Sequence, residues 1–371
     1  MNKMRTDVSR MPVVDVLKAI ACLLIVLHHL AVYGPMSDTA YPLFPGLIDW
    51  LFQYGRMAVQ AFFVMAGFLA ARKLAPRGVS LVEGPLRLIA RRYLRLALPY
   101  LAALTLAIGC AALAREWMNH DSIPDAPSLP QLLAHALLLH DLLDQEALSA
   151  GVWYIAIDFQ LFALSAFLFW LSHRLEYRAP SLRATGPLLV LGLTLASLFV
   201  FNRDAAWDET ALYFFGSYGL GMLAYWASNS RYSAYWLVLL GFLVSAALLV
   251  EFRERIAVAG GVTLLLVLAR QGSGLGAWPV PRPVSYLGRI SFSVFLVHFP
   301  LLLLVNATFS VLFPHQPAAN AYGLILGLGV SILGGALFYK WVESRPFTDK
   351  MHLLLPAGFL ASGLLAAAGI S

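Results

Sequence analysis

Charge is scarce in this chain. Asp, Glu, Lys and Arg make up 12% of its 371 residues, about half the share of an ordinary soluble domain, and that excludes a protein whose whole surface faces water. Cysteine is scarcer still. The only two, Cys22 and Cys110, both lie inside apolar runs, so they support neither a disulfide framework nor a metal site and read as packing residues. Internal repeats and low-complexity tracts are missing. No stretch between the apolar runs is long enough for a soluble domain, so one membrane domain over 1–371 is expected, with no metal.

What the chain has instead is apolar length. Hydrophobic residues reach 60%, against about 45–50% in soluble domains. A spanning helix needs about 20 mainly apolar residues. Eleven runs approach that: 13–33, 47–70, 94–114, 152–172, 185–202, 210–228, 233–250, 256–270, 289–308, 321–340 and 352–369. The first ends AVYG, a poor cleavage site, and ten more follow it, so it reads as a retained span rather than a signal peptide. The fold class is therefore all-α, a polytopic membrane protein of about 10–11 transmembrane helices.

With the N terminus placed in the cytoplasm, twenty of the 26 Lys and Arg fall on the inner side. That bias predicts an N-inside orientation, and it accounts for the net charge of +6 without nucleic acid. On the outer side the longest segment, 115–150, holds the apolar piece QLLAHALLLHDLL, too short to span comfortably. It is expected either to lie along the interface or to re-enter between helices.

Polar side chains inside the spans are costly and so point to function. PVVDVLKAIACLLIVLHHLAVYG, the first span, puts Asp15 and Lys18 near the inner face and His29 about 24 Å along the helix. In the fourth span Asp158 lies six residues from the outer end. His29 and Asp158 are thus expected at similar depth, either as a general base with its carboxylate partner or as a structural hydrogen bond between helices. His28 and His29 point about 100° apart, so they are not expected to share a role.

Near the inner face, Arg91, Arg92 and Arg95 open the third span. Their planar guanidinium forks suit phosphate oxygens, while the positive-inside bias and lipid headgroups offer a plainer reading. Lys18 lies one turn inside, as a phosphate partner or a snorkelling side chain. His298 lies near the midplane, to pack or to react. Arg56 and Gln60, one turn apart in the second span, are expected to line one cavity. Glu343 and Arg345 read as an ion pair or loop anchor at the inner surface, and Arg10, Asp15 and Trp153 as supporting or structural groups.

Taken in order, several segments resemble the acyltransferase 3 family of integral membrane acyltransferases. Lys18-x10-His29 is similar to that family's Arg-x10-His signature; AVQAFFVMAGFL, RRYLRLALPY, WYIAIDFQLF with Trp153 and Asp158, GRISFSVFLVH ending in His298, and VESRPF follow. The likeness covers roughly 10–347. This chain departs from the pattern at Lys18 (usually Arg), Asp158 (usually Glu), Gln60 (commonly an acid) and Ala66 (usually Ser). A lysine keeps the charge but loses the bidentate fork.

The resemblance implies transfer of a small acyl group, commonly acetyl from cytoplasmic acetyl-CoA, to a hydroxyl of an extracytoplasmic glycan or lipid-linked sugar. A multi-pass protein of the bacterial inner membrane is implied with it. On this view Lys18, Arg91, Arg92 and Arg95 serve the acyl-CoA, and His29 with Asp158 the chemistry. The competing reading is a transporter or flippase for a cell-envelope intermediate, since polar groups at matched depth also line transport paths. Dependence on acyl-CoA and on His29 separates the two.

Overall fold

Proline and glycine set the helix ends in the computed structural model, which describes residues 11–81, 84–179, 185–270 and 279–369. Arg10 lies outside the described residues. Helix α1 (Pro12–Val32) has its proline in the first turn, where a missing N–H costs nothing, and it stops before Gly34 at φ 98°. After the short α2 (Pro35–Ala40), the run predicted as one span over 47–70 lies in a single helical stretch, Pro45–Leu74, that tightens partway along. It forms α3 (Pro45–Tyr54), a 3-10 turn over Gly55–Ala58, and α4 (Val59–Leu74). At the turn α3 and α1 pack closely, since a Cβ on Gly55 would stand 2.7 Å from His28 Cβ.

The long α5 (Pro85–Trp117) and the short α6 (Leu129–Ala136) come next. They are followed by α7 (Val152–Arg178), α8 (Thr185–Phe199), α9 (Ala211–Asn229), α10 (Ser233–Val250) and α11 (Glu254–Arg270). The chain closes with α12 (Arg282–Leu312), α13 (Pro317–Phe338), a π-turn over Tyr339–Glu343, and α14 (Asp349–Ala367). All eleven predicted apolar runs are helical, and among the described residues there is no strand. The protein is an all-α polytopic membrane protein.

Nine helical segments of the described residues are long and apolar enough to span on their own. Helices α9 and α11 are not among them, for different reasons. With 17 residues α11 is short. Helix α9 carries Tyr, Ser and Gly, yet fifteen of its residues are buried. Neighbouring helices rather than lipid surround it, so it needs no apolar face all round. Close contact with α4 is possible only through glycine: a Cβ on Gly67 would lie 1.8 Å from the Tyr218 carbonyl oxygen, and one on Gly221 1.9 Å from that of Val64. At the periphery, α10, α13 and α14 bury little of themselves. Leu249, Phe242, Ile325 and Leu353 point outward, as lipid-facing side chains do.

Segment 118–150 folds back into the bundle. Ser128 and Gln131 form a capping box that starts α6, Leu132 packs on Gly363 of α14, and the Tyr93 hydroxyl of α5 donates to the Ala136 carbonyl at 2.6 Å. His135 is wholly buried; its Nδ1–H donates to the Gln131 carbonyl and its Nε2 accepts from the Leu148 N–H. Helix α7 consequently starts inside the bundle, not at its surface. Its N-cap Gly151 lies against His29, 3.5 Å from an added Cβ to His29 Cε1.

Candidate functional site

A cavity of about 410 Å³ opens at the Lys18 face between α1, α4, α5, α7 and α12. Five cationic side chains line it: Lys18, Lys73, Arg92, Arg95 and Arg289. Against them stand two carboxylates, Asp158 and Glu343. The sequence reading thus brings Lys18, Arg92 and Arg95 together, whereas Arg91 is exposed and outside the lining. Lys73 and Arg289 are additions. Lys73 sits in the last turn of α4 and Arg289 two turns into α12, both at the edge of an apolar run where the positive-inside bias puts basic residues anyway, so nothing in the sequence sets them apart.

Asp158 is not where depth counting puts it. Its carboxylate accepts from Arg92 Nη2 deep in this cavity, and it does not pair with His29. Since α7 starts level with His29, Asp158 lies seven residues, about 10 Å, further toward the Lys18 face. Arg92 also lies over the Phe162 ring, 5.4 Å from its centroid, with Lys73 at the same distance from that centroid. Only one nitrogen of Arg92 meets one oxygen of Asp158; Arg92 Nε and Asp158 Oδ1 have no partner among the described residues.

Glu343 and Arg345 do not pair either. Glu343, set by the π-turn, accepts from Ser293 Oγ at 2.5 Å and faces the cavity. Exposed Arg345 donates from Nε to the Lys340 carbonyl at 3.3 Å and anchors the loop. Asp15 accepts from Ser285 Oγ at 3.2 Å, tying α1 to α12.

His29 has a different partner, His298. Nδ1 of His29 and Nε2 of His298 are 2.6 Å apart, and the rings lie within 15° of parallel. Nδ1 of His298 lies 2.7 Å from the Phe295 carbonyl oxygen. A carbonyl only accepts, so that nitrogen carries a proton. With both rings neutral, His298 Nε2 then accepts and His29 Nδ1–H donates, leaving the lone pair on His29 Nε2. That nitrogen makes no hydrogen bond among the described residues, and His29 keeps 7% of its surface open. The arrangement can take a proton from, or attack, a group beside it. His28 turns away and its Nδ1–H donates to the Leu51 carbonyl at 2.9 Å, holding α3.

Phe295 separates the cavity from the histidines. It lines the cavity, its ring lies 5.9 Å from that of His298 and 5.3 Å from that of Tyr154, and it would meet a Cβ on Gly151 at 3.0 Å. Gly151 is at φ +80°, so both its backbone and its surroundings favour glycine.

On the opposite face a second cavity of about 350 Å³ contains Arg56 and Gln60, together as expected, with Trp153. Asp141, Asp208, Glu209 and Arg255 share it. Burial and then the charge of Glu209 push the Asp141 carboxyl up to about 6. Behind it His140 stacks on His135 with ring centroids 4.2 Å apart. Burial pushes both down, to about 3 and about 4. Asp141 Oδ2 lies 3.5 Å from His140 Nε2 without forming a hydrogen bond.

Among the described residues no group of three His, Cys, Asp or Glu side chains is placed to hold a metal ion. No curated protein and no solved structure matches the chain. A family model described as an acyltransferase domain does, over residues 12–365. With nearly its whole length matched, and with polar groups gathered inside a helical bundle, the chain belongs to the acyltransferase 3 family and is a membrane O-acyltransferase acting on groups other than aminoacyl groups.

Proposed function

We propose that the protein takes a small acyl group, acetyl from acetyl-CoA, at the cytoplasmic face of a bacterial inner membrane. It delivers the group to a hydroxyl of an extracytoplasmic glycan or lipid-linked sugar, the whole chain acting as one membrane domain. One observation carries this reading: five cationic side chains converge on a single cavity at one end of α1, and His29 stands at the other end. From Lys18 to His29 is eleven residues, about 16 Å along the helix. That matches in scale the reach of an extended pantetheine arm. The charge bias of the loops supports a cytoplasmic Lys18 face, where acyl-CoA is made.

Lys18, Arg92 and Arg95, with Lys73 and Arg289, hold the donor phosphates, and Arg91 stands at the rim. Asp158 positions Arg92. The thioester passes Phe295 to reach His29. There His29 Nε2 removes the proton of the acceptor hydroxyl as its oxygen bonds to the thioester carbonyl carbon. The carbon–sulfur bond breaks, and the CoA thiolate recovers the proton from His29. General acid–base assistance of this kind contributes roughly 10²–10⁴-fold.

Mass spectrometry of extracytoplasmic glycans tests the proposal, comparing cells that make the wild type or His29→Ala at matched membrane levels. An added acyl mass with the wild type alone supports it and names both acyl group and acceptor. Equal acylation in both removes His29 from the reaction. Acyl-CoA found bound away from Lys18 and Arg92 removes the donor route.

A further inference from the structure

The cavity at the Lys18 face ends in aromatic rings. On α4, α7 and α12 alike, the lining residue furthest from the cationic end is aromatic: Phe62, Tyr154 and Phe295. Tyr154 joins the other two, its ring centroid 5.9 Å from that of Phe62 and 5.3 Å from that of Phe295. Beyond Phe295 stands His298, with ring centroids 5.9 Å apart.

Gly151 gauges the space that remains between Phe295 and His29. A Cβ built there would lie 3.0 Å from Phe295 Cζ, 3.2 Å from Phe295 Cε2 and 3.5 Å from His29 Cε1. Carbon atoms not bonded to each other settle about 3.5–4.0 Å apart. A single carbon at that point is therefore already tight against the ring and just in contact with His29. His29 Cε1 is bonded to Nε2, the nitrogen that carries the free lone pair, so the tip of Phe295 and the reacting edge of His29 converge on this one small gap. The cavity short of the gap is roomier, at about 410 Å³, with apolar walls from Met65, Leu69, Leu96 and Phe292.

We infer that Phe295 and Gly151 together select the donor by acyl length. An acetyl group passes when the ring turns aside. An acyl chain longer by two methylenes or more lodges in the cavity with its CoA held, does not reach His29, and makes its CoA ester an inhibitor instead of a substrate. This rests on the acyl-transfer reading and specifies its donor. Phe295 is also a position where the side chain can be changed by itself: it is the backbone carbonyl of Phe295 that lies 2.7 Å from His298 Nδ1, and a substitution leaves that carbonyl, and with it the His29 tautomer, in place.

Cell membranes containing the full chain, sheared so that both faces are accessible and the native acceptor is retained, provide the test. They receive acetyl-, butyryl- and octanoyl-CoA in equal amounts, and mass spectrometry of the glycans and lipid-linked sugars reads the acyl masses transferred. One methylene in an apolar site is worth roughly 10–200-fold in discrimination, so the wild type should favour acetyl over butyryl at least about tenfold. Octanoyl-CoA should go untransferred and raise the KM for acetyl-CoA. Phe295→Ala should raise the butyryl-to-acetyl ratio at least about tenfold and turn octanoyl-CoA into a substrate, with Phe295→Leu in between. Phe292→Ala, which widens the cavity short of the gap, should keep the wild-type ratio. If Phe295→Ala does not reach wild-type membrane levels, Phe295→Leu carries the test. Butyryl transferred by the wild type as readily as acetyl overturns the inference, as does a ratio that Phe295 variants leave unchanged or that Phe292→Ala raises equally; acyl transfer itself survives all three results. Absence of transfer from every donor in the wild type removes the acyl-transfer reading, and this inference with it.

Discussion

A carboxylate beside an imidazole offsets the charge the ring gains with a proton; His298 cannot. It fixes the tautomer and direction of His29 without lending it a negative neighbour. His298→Ala is therefore expected to lower the maximal transfer rate by roughly tenfold or more while leaving the KM for acyl-CoA unchanged. His298→Gln should recover part, because an amide also donates and accepts. Lys18→Ala should act oppositely. A charge-assisted contact to phosphate is worth about 1.5–3 kcal/mol, so the KM for acyl-CoA should rise roughly 10–100-fold, with Lys18→Arg close to wild type. Steady-state kinetics separate the two patterns. Both residues were legible as polar groups in a span that lipid would not tolerate. That Asp158 pairs with Arg92 and leaves His29 to His298 was not, since helix counting fixes depth only when the helix begins at the membrane surface, and α7, which carries Asp158, does not.

Helices α4 and α9 approach most closely backbone to side-chain-free glycine, at Gly67 and Gly221, with the Gln60–Ser217 and Phe63–Phe214 contacts beside them. Gly221→Leu would force the Val64 carbonyl aside and is expected to cost about 1–3 kcal/mol or more, seen as a lower thermal midpoint in detergent. Leu353→Ala on lipid-facing α14 should leave that midpoint nearly unchanged. Helix positions follow from apolar run length, which explains why all eleven were legible. The 3-10 turn at Gly55–Ala58 was hidden, and run length left open whether 118–150 lies along the interface or re-enters between helices. Each involves a contact far away in sequence, Gly55 with His28 and Ala136 with Tyr93, and hydropathy carries no information about such contacts.

Viewed whole, the two cavities described above open at opposite faces, with a thin layer between them. Ionised Asp141 is a burden on the fold. Its carboxyl ordinarily titrates at 3.8 and stands at about 6 here, so the folded protein binds more protons than the unfolded chain between these values and loses stability as pH rises through them. Asp141→Asn should melt higher than wild type above pH 6, the gap closing toward pH 4 in a series of thermal scans. The layer itself centres on Phe63, which is fully buried. Its ring lies 4.9 Å from Tyr154 of the first cavity and 4.9 Å from Phe214 of the second. Phe63→Ala should let protons through, read as faster dissipation of a pH gradient in proteoliposomes, where the wild type holds it.

That layer also determines where the membrane's electric field falls. Where water and mobile ions enter both cavities they carry each side's potential inward, and more of the voltage then drops across the aromatic layer between them than across an equal thickness of bilayer. A unit charge crossing the full potential gains or loses about 2.3 kcal/mol per 100 mV. His29 and His298 stand beside that drop, and energised membranes place them in a stronger field than any detergent micelle does.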